Sequence, residues 1–217
     1  MNQYQTITFN AADAEKAGAA SNFIPGNTEQ LVVIDRAEFV TSKNTGAQGI
    51  EIDVHNRDKQ KAYFTIWHLK GDGSANEYSM RLLQSLMGVT GVQTLTPGNA
   101  EVPKYDYDRK ETVKTNCINA RELLGKQFVG LFLETHDTYQ GKEKTKIELF
   151  AAYNRERQSY REANAGMPAT DIEDATAAML KKSEKSKEAA GRAIQNSWQP
   201  PAYDNPPTFD DFDNVPF

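Results

Sequence analysis

Over the first 154 residues, apolar and polar positions alternate mostly with a period of two, in short segments bounded by turn residues. Leu31-Val32-Val33-Ile34 continues through Ala37, Phe39 and Val40 as one long strand, and the turn-rich stretch Ser42-Lys43-Asn44-Thr45-Gly46 follows. Ile50, Ile52 and Val54 alternate with Glu51, Asp53 and His55, which marks a strand with one buried face. The polar turn Arg57-Asp58-Lys59-Gln60 leads to a third strand, Ala62 to Leu69, so these two strands form a hairpin. Gly71-Asp72-Gly73 ends that segment. Ser74 is placed to cap a helix, with Glu77 at capping-box spacing. Met80, Leu83, Leu86 and Met87 share one helical face, and Gly88 and Gly91 stop the helix. Residues 93–117 read as a long connection broken by Pro97-Gly98 and Pro103. Asn119 to Leu124 reads as a short helix ending at Gly125, and Phe128 to Leu133 as a buried strand. Thr135 to Thr145 reads as a polar hairpin loop containing Gly141, and Ile147 to Tyr153 as the last strand.

This order is three strands, a helix, a long excursion and two strands. It fits a mainly β chain built as a five-stranded OB-type barrel with a helix between strands 3 and 4. Pattern alone also fits other small barrels and α+β folds. Residues 1–28 form an N-terminal arm, in which Ala11 to Ala20 is a short helix or a mobile segment. The barrel domain covers residues 29–154. Residues 155–197 read as a linker with a marginal helix from Asp171 to Gln195, where Ile172, Ala175, Met179 and Leu180 give one weak apolar face. After Trp198 there are five prolines in nineteen residues, so 198–217 reads as a disordered, extended tether.

Hydrophobic residues are 38% of the chain, on the polar side for a globular protein, in keeping with an unfolded portion. No apolar run approaches membrane-spanning length. The N-terminus lacks a basic region followed by an apolar stretch, so no secretory signal is expected. The lone Cys117 leaves no intrachain disulfide and fits a reducing compartment. The net charge of -5 argues at first against a nucleic-acid partner. Its distribution changes that reading. Residues 1–153 carry 17 Lys+Arg and 19 Asp+Glu, whereas 154–217 carry 8 and 11. The body is therefore near neutral, and any basic groove is local.

The last nine residues, Phe209-Asp210-Asp211-Phe212-Asp213-Asn214-Val215-Pro216-Phe217, place aspartates among aromatic rings and end on a phenylalanine. Such a peptide suits a partner whose apolar pocket is rimmed by Lys or Arg, with Pro216 lowering the entropy lost on docking. This stretch resembles the acidic tip of bacterial-type single-stranded-DNA-binding proteins. The body adds Asn22 to Gly26, Thr41 to Gly46, and Phe64-Thr65-Ile66-Trp67-His68-Leu69 before a helix. Together these blocks resemble a phage-encoded single-stranded-DNA-binding protein with an OB fold. The resemblance implies a partner, single-stranded DNA, handled during replication, recombination or repair in the cytoplasm of a bacterial host. It also implies recruitment of enzymes through Asp210, Asp211, Phe212, Asp213, Val215, Pro216 and Phe217. A homo-oligomer is compatible with it, since many OB-fold strand binders assemble.

Gripping single strands without sequence preference needs cations along the phosphates and flat rings under the bases. If Ala62, Phe64 and Ile66 face the core, Tyr63 and Trp67 share the opposite face, with Lys61 beside them. The competing reading makes Trp67 a core residue. Arg57 and Lys59 follow phosphates from the hairpin turn, or are an ordinary solvated turn. Tyr105, Tyr107, Arg109 and Lys110 form a clamping flap, or a surface loop packed on the body. Lys43 is a weaker candidate in the first turn. Catalysis finds no support: His55, His68 and His136 lie far apart, no zinc-ligand spacing occurs, and no Gly-rich phosphate loop appears. Neither cofactor nor metal is expected. The alternative to DNA binding is a protein–protein adaptor or inhibitor that captures a host enzyme through the tip.

Overall fold

The computed structural model describes residues 8–11, 21–106, 108–139 and 142–197. The chain is mainly β and antiparallel. Among the described residues, seven strands run as β1 (Thr28–Thr41), β2 (Gln48–Asn56), β3 (Lys61–Leu69), β4 (Pro97–Asp106), β5 (Glu111–Ala120), β6 (Gln127–Tyr139) and β7 (Lys142–Tyr153). Helix α1 (Glu77–Thr90) follows β3, a 3-10 turn spans Arg121–Leu123, and α2 (Tyr160–Ala165) and α3 (Asp171–Ser197) follow β7. The hydrogen-bonded order is β3-β2-β1-β5-β4, with β6 pairing both β1 and β7. Long β1 is shared along its length: its first half pairs β6, from Thr28↔Phe132 to Val33↔Gln127, and Glu38 pairs Asn119 of β5.

The five-stranded closed barrel is thereby corrected. No ladder joins β3 to β7, so the sheet stays open, and α1 packs against both strands. Leu83, Leu86 and Met87 of α1 close the main core with Val32, Ile34, Ile52, Phe64 and Phe132. The supposed connection 93–117 is the hairpin β4–β5, in continuous register from Pro97↔Ala120 to Asp106↔Glu111. Its polar ribbon hid the alternation, because among its side chains only Val102, Asn119 and Ala120 are fully buried.

Other boundaries shift for local reasons. The cap of α1 is Asn76, not Ser74; Ser74 turns back, donating its N–H (2.9 Å) and Oγ–H (2.7 Å) to Asp72 Oδ1. Gly88 lies inside the helix, and Gly91 ends it in the left-handed conformation at φ 69°. The expected helix at 119–124 shrinks to the 3-10 turn. The expected loop 135–145 is mostly strand, with His136↔Thr145 and Tyr139↔Lys142 still paired.

The segment read as a linker is folded onto the sheet. Phe128 and Phe132 of β6 face the main core, whereas Val129, Leu131 and Leu133 face a second cluster with Tyr153, Ile172 and Met179. Helix α3 supplies Ile172 and Met179, each 0% exposed. The start of this helix is fastened by Glu162 of α2. Its carboxylate accepts from the N–H groups of Ser159 (2.8 Å), Thr170 (2.6 Å) and Asp171 (2.8 Å) and from the Thr170 hydroxyl (2.9 Å). Burial pushes this carboxyl up, but those donors outweigh it and hold its pKa at about 2.

Candidate functional site

Helix α3 covers the outer face of β6, but the same face of β1, β2 and β3 is open. On β3 the parity is as expected: Ala62, Phe64 and Ile66 are buried, while Tyr63 is 61% exposed and Thr65 and Trp67 are half-buried. Tyr63 stands opposite Asp53, and Thr65 opposite Glu51. The indole of Trp67 lies against Gly49, where a Cβ would come within 2.8 Å of Cε3. The missing side chain at Gly49 thus leaves room for the ring, which is partly buried there.

The centre of the face is an ion-pair cluster made by a β-bulge. Val32 and Ile34 point into the core, the register shifts between Ile34 and Arg36, and Ala37 resumes the core side. The extra residue sends both Asp35 and Arg36 to the outer face. Asp35 meets His55 Nδ1 at 2.8 Å. Arg36, 4% exposed, donates to both oxygens of Asp53 (2.9 and 2.8 Å), to Glu38 (2.5 Å) and to Glu51. Burial opposes its charge, but hydrogen bonds and attraction from Asp53 and Glu51 raise its pKa. Lys104 reaches over from β4 to Glu38 Oε1 (3.1 Å) and Oε2 (2.9 Å). Burial would raise the Glu38 carboxyl; Lys104 first and Arg36 second lower it.

At the β2–β3 turn, a groove of about 590 Å³ opens between Leu31 and Val33 of β1, His55, Asn56, Arg57, Asp58 and Lys59, Gln127 of β6, and Arg155 after β7. Asn56 shapes the turn, its Oδ1 accepting from the N–H groups of Asp58 and Gln60, each at 3.0 Å. Among the described residues, Arg57, Lys59 and Arg155 have no carboxylate within ion-pair distance. Lys61 stands opposite His55 in the β2–β3 ladder, at the edge of the groove. Sequence reasoning had Arg57, Lys59 and Lys61 but missed Arg155, Leu31 and Val33. The available signal was the unbroken run Leu31 to Ile34: in a one-sided strand, two of those four would be polar.

The remaining candidates are dispersed. Lys43 lies in the β1–β2 turn, at the other end of β2 from Arg57 and Lys59. Tyr105 (48% exposed), Arg109 and Lys110 lie at or near the tip of the β4–β5 hairpin, where Asp106 Oδ1 accepts from the N–H groups of Asp108 (2.9 Å) and Arg109 (3.0 Å). Strand alternation puts Tyr105 on the opposite side of the ribbon from Lys104. Tyr107 and the tail residues from Asp210 to Phe217 lie outside the described residues.

An exposed ring, Tyr63, near an apolar-floored groove with unpaired cations, and a second ring, Trp67, farther along the same face, suit an extended polyanion that carries planar groups. Among the described residues, no group of three or more His, Cys, Asp or Glu is arranged to hold a metal ion. No helix among them is long and apolar enough to cross a membrane. Compared with known proteins, the chain matches no family model, and no curated sequence matches it.

Proposed function

We propose that this protein binds single-stranded DNA across the outer face of β1, β2 and β3, and recruits enzymes of replication, recombination or repair through its C-terminal tip. In this reading Thr28 to Tyr153 is an opened OB-type barrel: β1 is shared between two halves of the sheet, and α1 fills the gap between β3 and β7. The observation that carries the proposal is that one face presents the exposed ring of Tyr63 near the groove of Arg57, Lys59 and Arg155, with Trp67 farther along the same strand beside Gly49. Bases stack on the rings, each contributing about 1–3 kcal/mol, and phosphates pair with the cations. The tip supplies a terminal ring and three aspartates within its last nine residues for a basic, apolar pocket.

Titration with oligothymidine, followed by tryptophan emission, tests this. Wild type is expected to be quenched, and Trp67→Phe to lose the quench and bind more weakly. Unchanged emission together with no retained oligonucleotide refutes the proposal. Removal of residues 209–217 is expected to leave strand affinity equal or higher while abolishing enzyme capture. Weaker strand binding after removal counts against the reading.

One observation favours a second reading, a protein adaptor that does not touch DNA. Three carboxylates, Glu38, Glu51 and Asp53, occupy the middle of the face against two cations, Arg36 and Lys104. The same titration separates the two, since an adaptor leaves oligothymidine unbound.

A further inference from the structure

The short segment before β1 is part of the open face. It runs along the edge of β3, where Phe23 bridges Lys61 in parallel. Ile24 donates its N–H to Lys61 O (2.9 Å), Lys61 donates its own to Asn22 O (2.8 Å), and Gln60 Nε2 donates to Ser21 O (3.0 Å). Ile24 is 2% exposed in the main core, so its neighbour Phe23 turns outward. The Phe23 ring meets Tyr63 edge to face, with centroids 6.5 Å apart and planes at 75°. Yet Phe23 is 57% and Tyr63 61% exposed.

Two adjoining rings are thus fixed by backbone pairing and not by an apolar pocket, and much of their surface stays in water. Burying the pair would recover the apolar area left wet. Lys61 lies two residues before Tyr63 on the same face, and the groove cations Arg57 and Lys59 follow in the adjoining turn. An occupant that places a flat apolar group on the rings and anions on those cations complements both parts.

We propose that Phe23 and Tyr63 form one stacking platform for a base of single-stranded DNA, with Ser21 to Ile24 serving as an added edge strand of the binding face. This rests on the reading that the face takes single-stranded DNA. It adds a ring that the strand pattern of β3 does not reveal, and it gives the segment before β1 a direct part in binding.

The test measures affinity of the full chain for oligothymidine and for an abasic oligodeoxynucleotide of equal length. The variants are Phe23→Leu, which keeps apolar bulk and backbone pairing, and Phe23→Trp, which keeps a ring. On oligothymidine, Phe23→Leu is expected to weaken binding about 5- to 150-fold, the span of one lost stack, with the salt slope unchanged. Phe23→Trp is expected to bind like wild type. On the abasic strand, Phe23→Leu and wild type are expected to agree. The platform is overturned if Phe23→Leu binds oligothymidine like wild type, or if it loses equally on both strands, the pattern of a damaged fold. If Phe23→Leu has no effect while oligothymidine still quenches Trp67, only the platform fails. If wild type binds neither strand, the functional reading fails with it.

Discussion

Replacing Arg36 by Met tests whether the open face is held together by its ion-pair cluster. The guanidinium is 4% exposed and serves Asp53, Glu38 and Glu51 at once. Once it is gone, Lys104 reaches only Glu38, and the other two carboxylates are left without a cation partner. Breaking a buried ion pair costs about 3–5 kcal/mol. The side chains of Glu51 and Asp53 are 37% and 27% exposed, so water takes up part of their charge. The lower end, about 3 kcal/mol, is therefore expected. Urea unfolding followed by far-ultraviolet circular dichroism measures it, as a lower midpoint at unchanged slope. Adding Glu51→Gln and Asp53→Asn to Arg36→Met is expected to restore most of the loss, because it removes the uncompensated charges. Arg36→Lys restores little, since one ammonium cannot reproduce the fork that spans three carboxylates. A loss below about 1 kcal/mol, the scale of exposed pairs, would refute the reasoning.

Gly49→Ala places a methyl group where the Trp67 indole lies, 2.8 Å from Cε3 and 3.0 Å from Ile66 O. It is expected to shift tryptophan emission and weaken oligothymidine binding; a wild-type spectrum would mean that the ring does not rest there. Met179→Ala, at a site 0% exposed between α3 and β6, is expected to cost about 2–5 kcal/mol in urea unfolding. A change within about 0.5 kcal/mol would mean that α3 is not docked. Glu162 has its folded pKa lowered from 4.5 to about 2, so its contribution is full above 4.5 and fades as pH falls toward 2. Thermal midpoints measured over that range are expected to fall more steeply in wild type than in Glu162→Gln; parallel curves would exclude the linkage.

The strand hairpin β2–β3 and the helix after it were legible, because a period of two beside a period near 3.6 leaves little choice of buried face. The hairpin β4–β5 was not. Its outward positions carry Asn99, Glu101, Pro103 and Lys114, and its inward ones include Gly98, Ala100 and Thr115, so neither face is clearly apolar. The role of α3 was half legible. Phe128-Val129-Gly130-Leu131-Phe132-Leu133 is apolar on both faces, which requires a cover on each side, and Ile172 and Met179 supply one of them. The sequence contained both halves, but nothing local connects residues 39 to 50 positions apart. At the site, alternation sorted Tyr63 and Trp67 from the core. It did not bring in Arg155 or Phe23, because each reaches the face through a pairing that is non-local in sequence. The bulge at Asp35 also escaped: one extra residue reverses parity and looks, in sequence, like an ordinary interruption by Asp-Arg.

The salt dependence of oligothymidine affinity, for wild type and for Arg57→Ala/Lys59→Ala/Arg155→Ala, bears most directly on the claim that this open face holds single strands. Each phosphate neutralised on a single strand contributes a log–log slope of about -0.7, so the triple variant is expected to bind more weakly, with a slope shallower by about 2. Equal slopes, or no binding in dilute buffer even after removal of residues 209–217, would contradict the account.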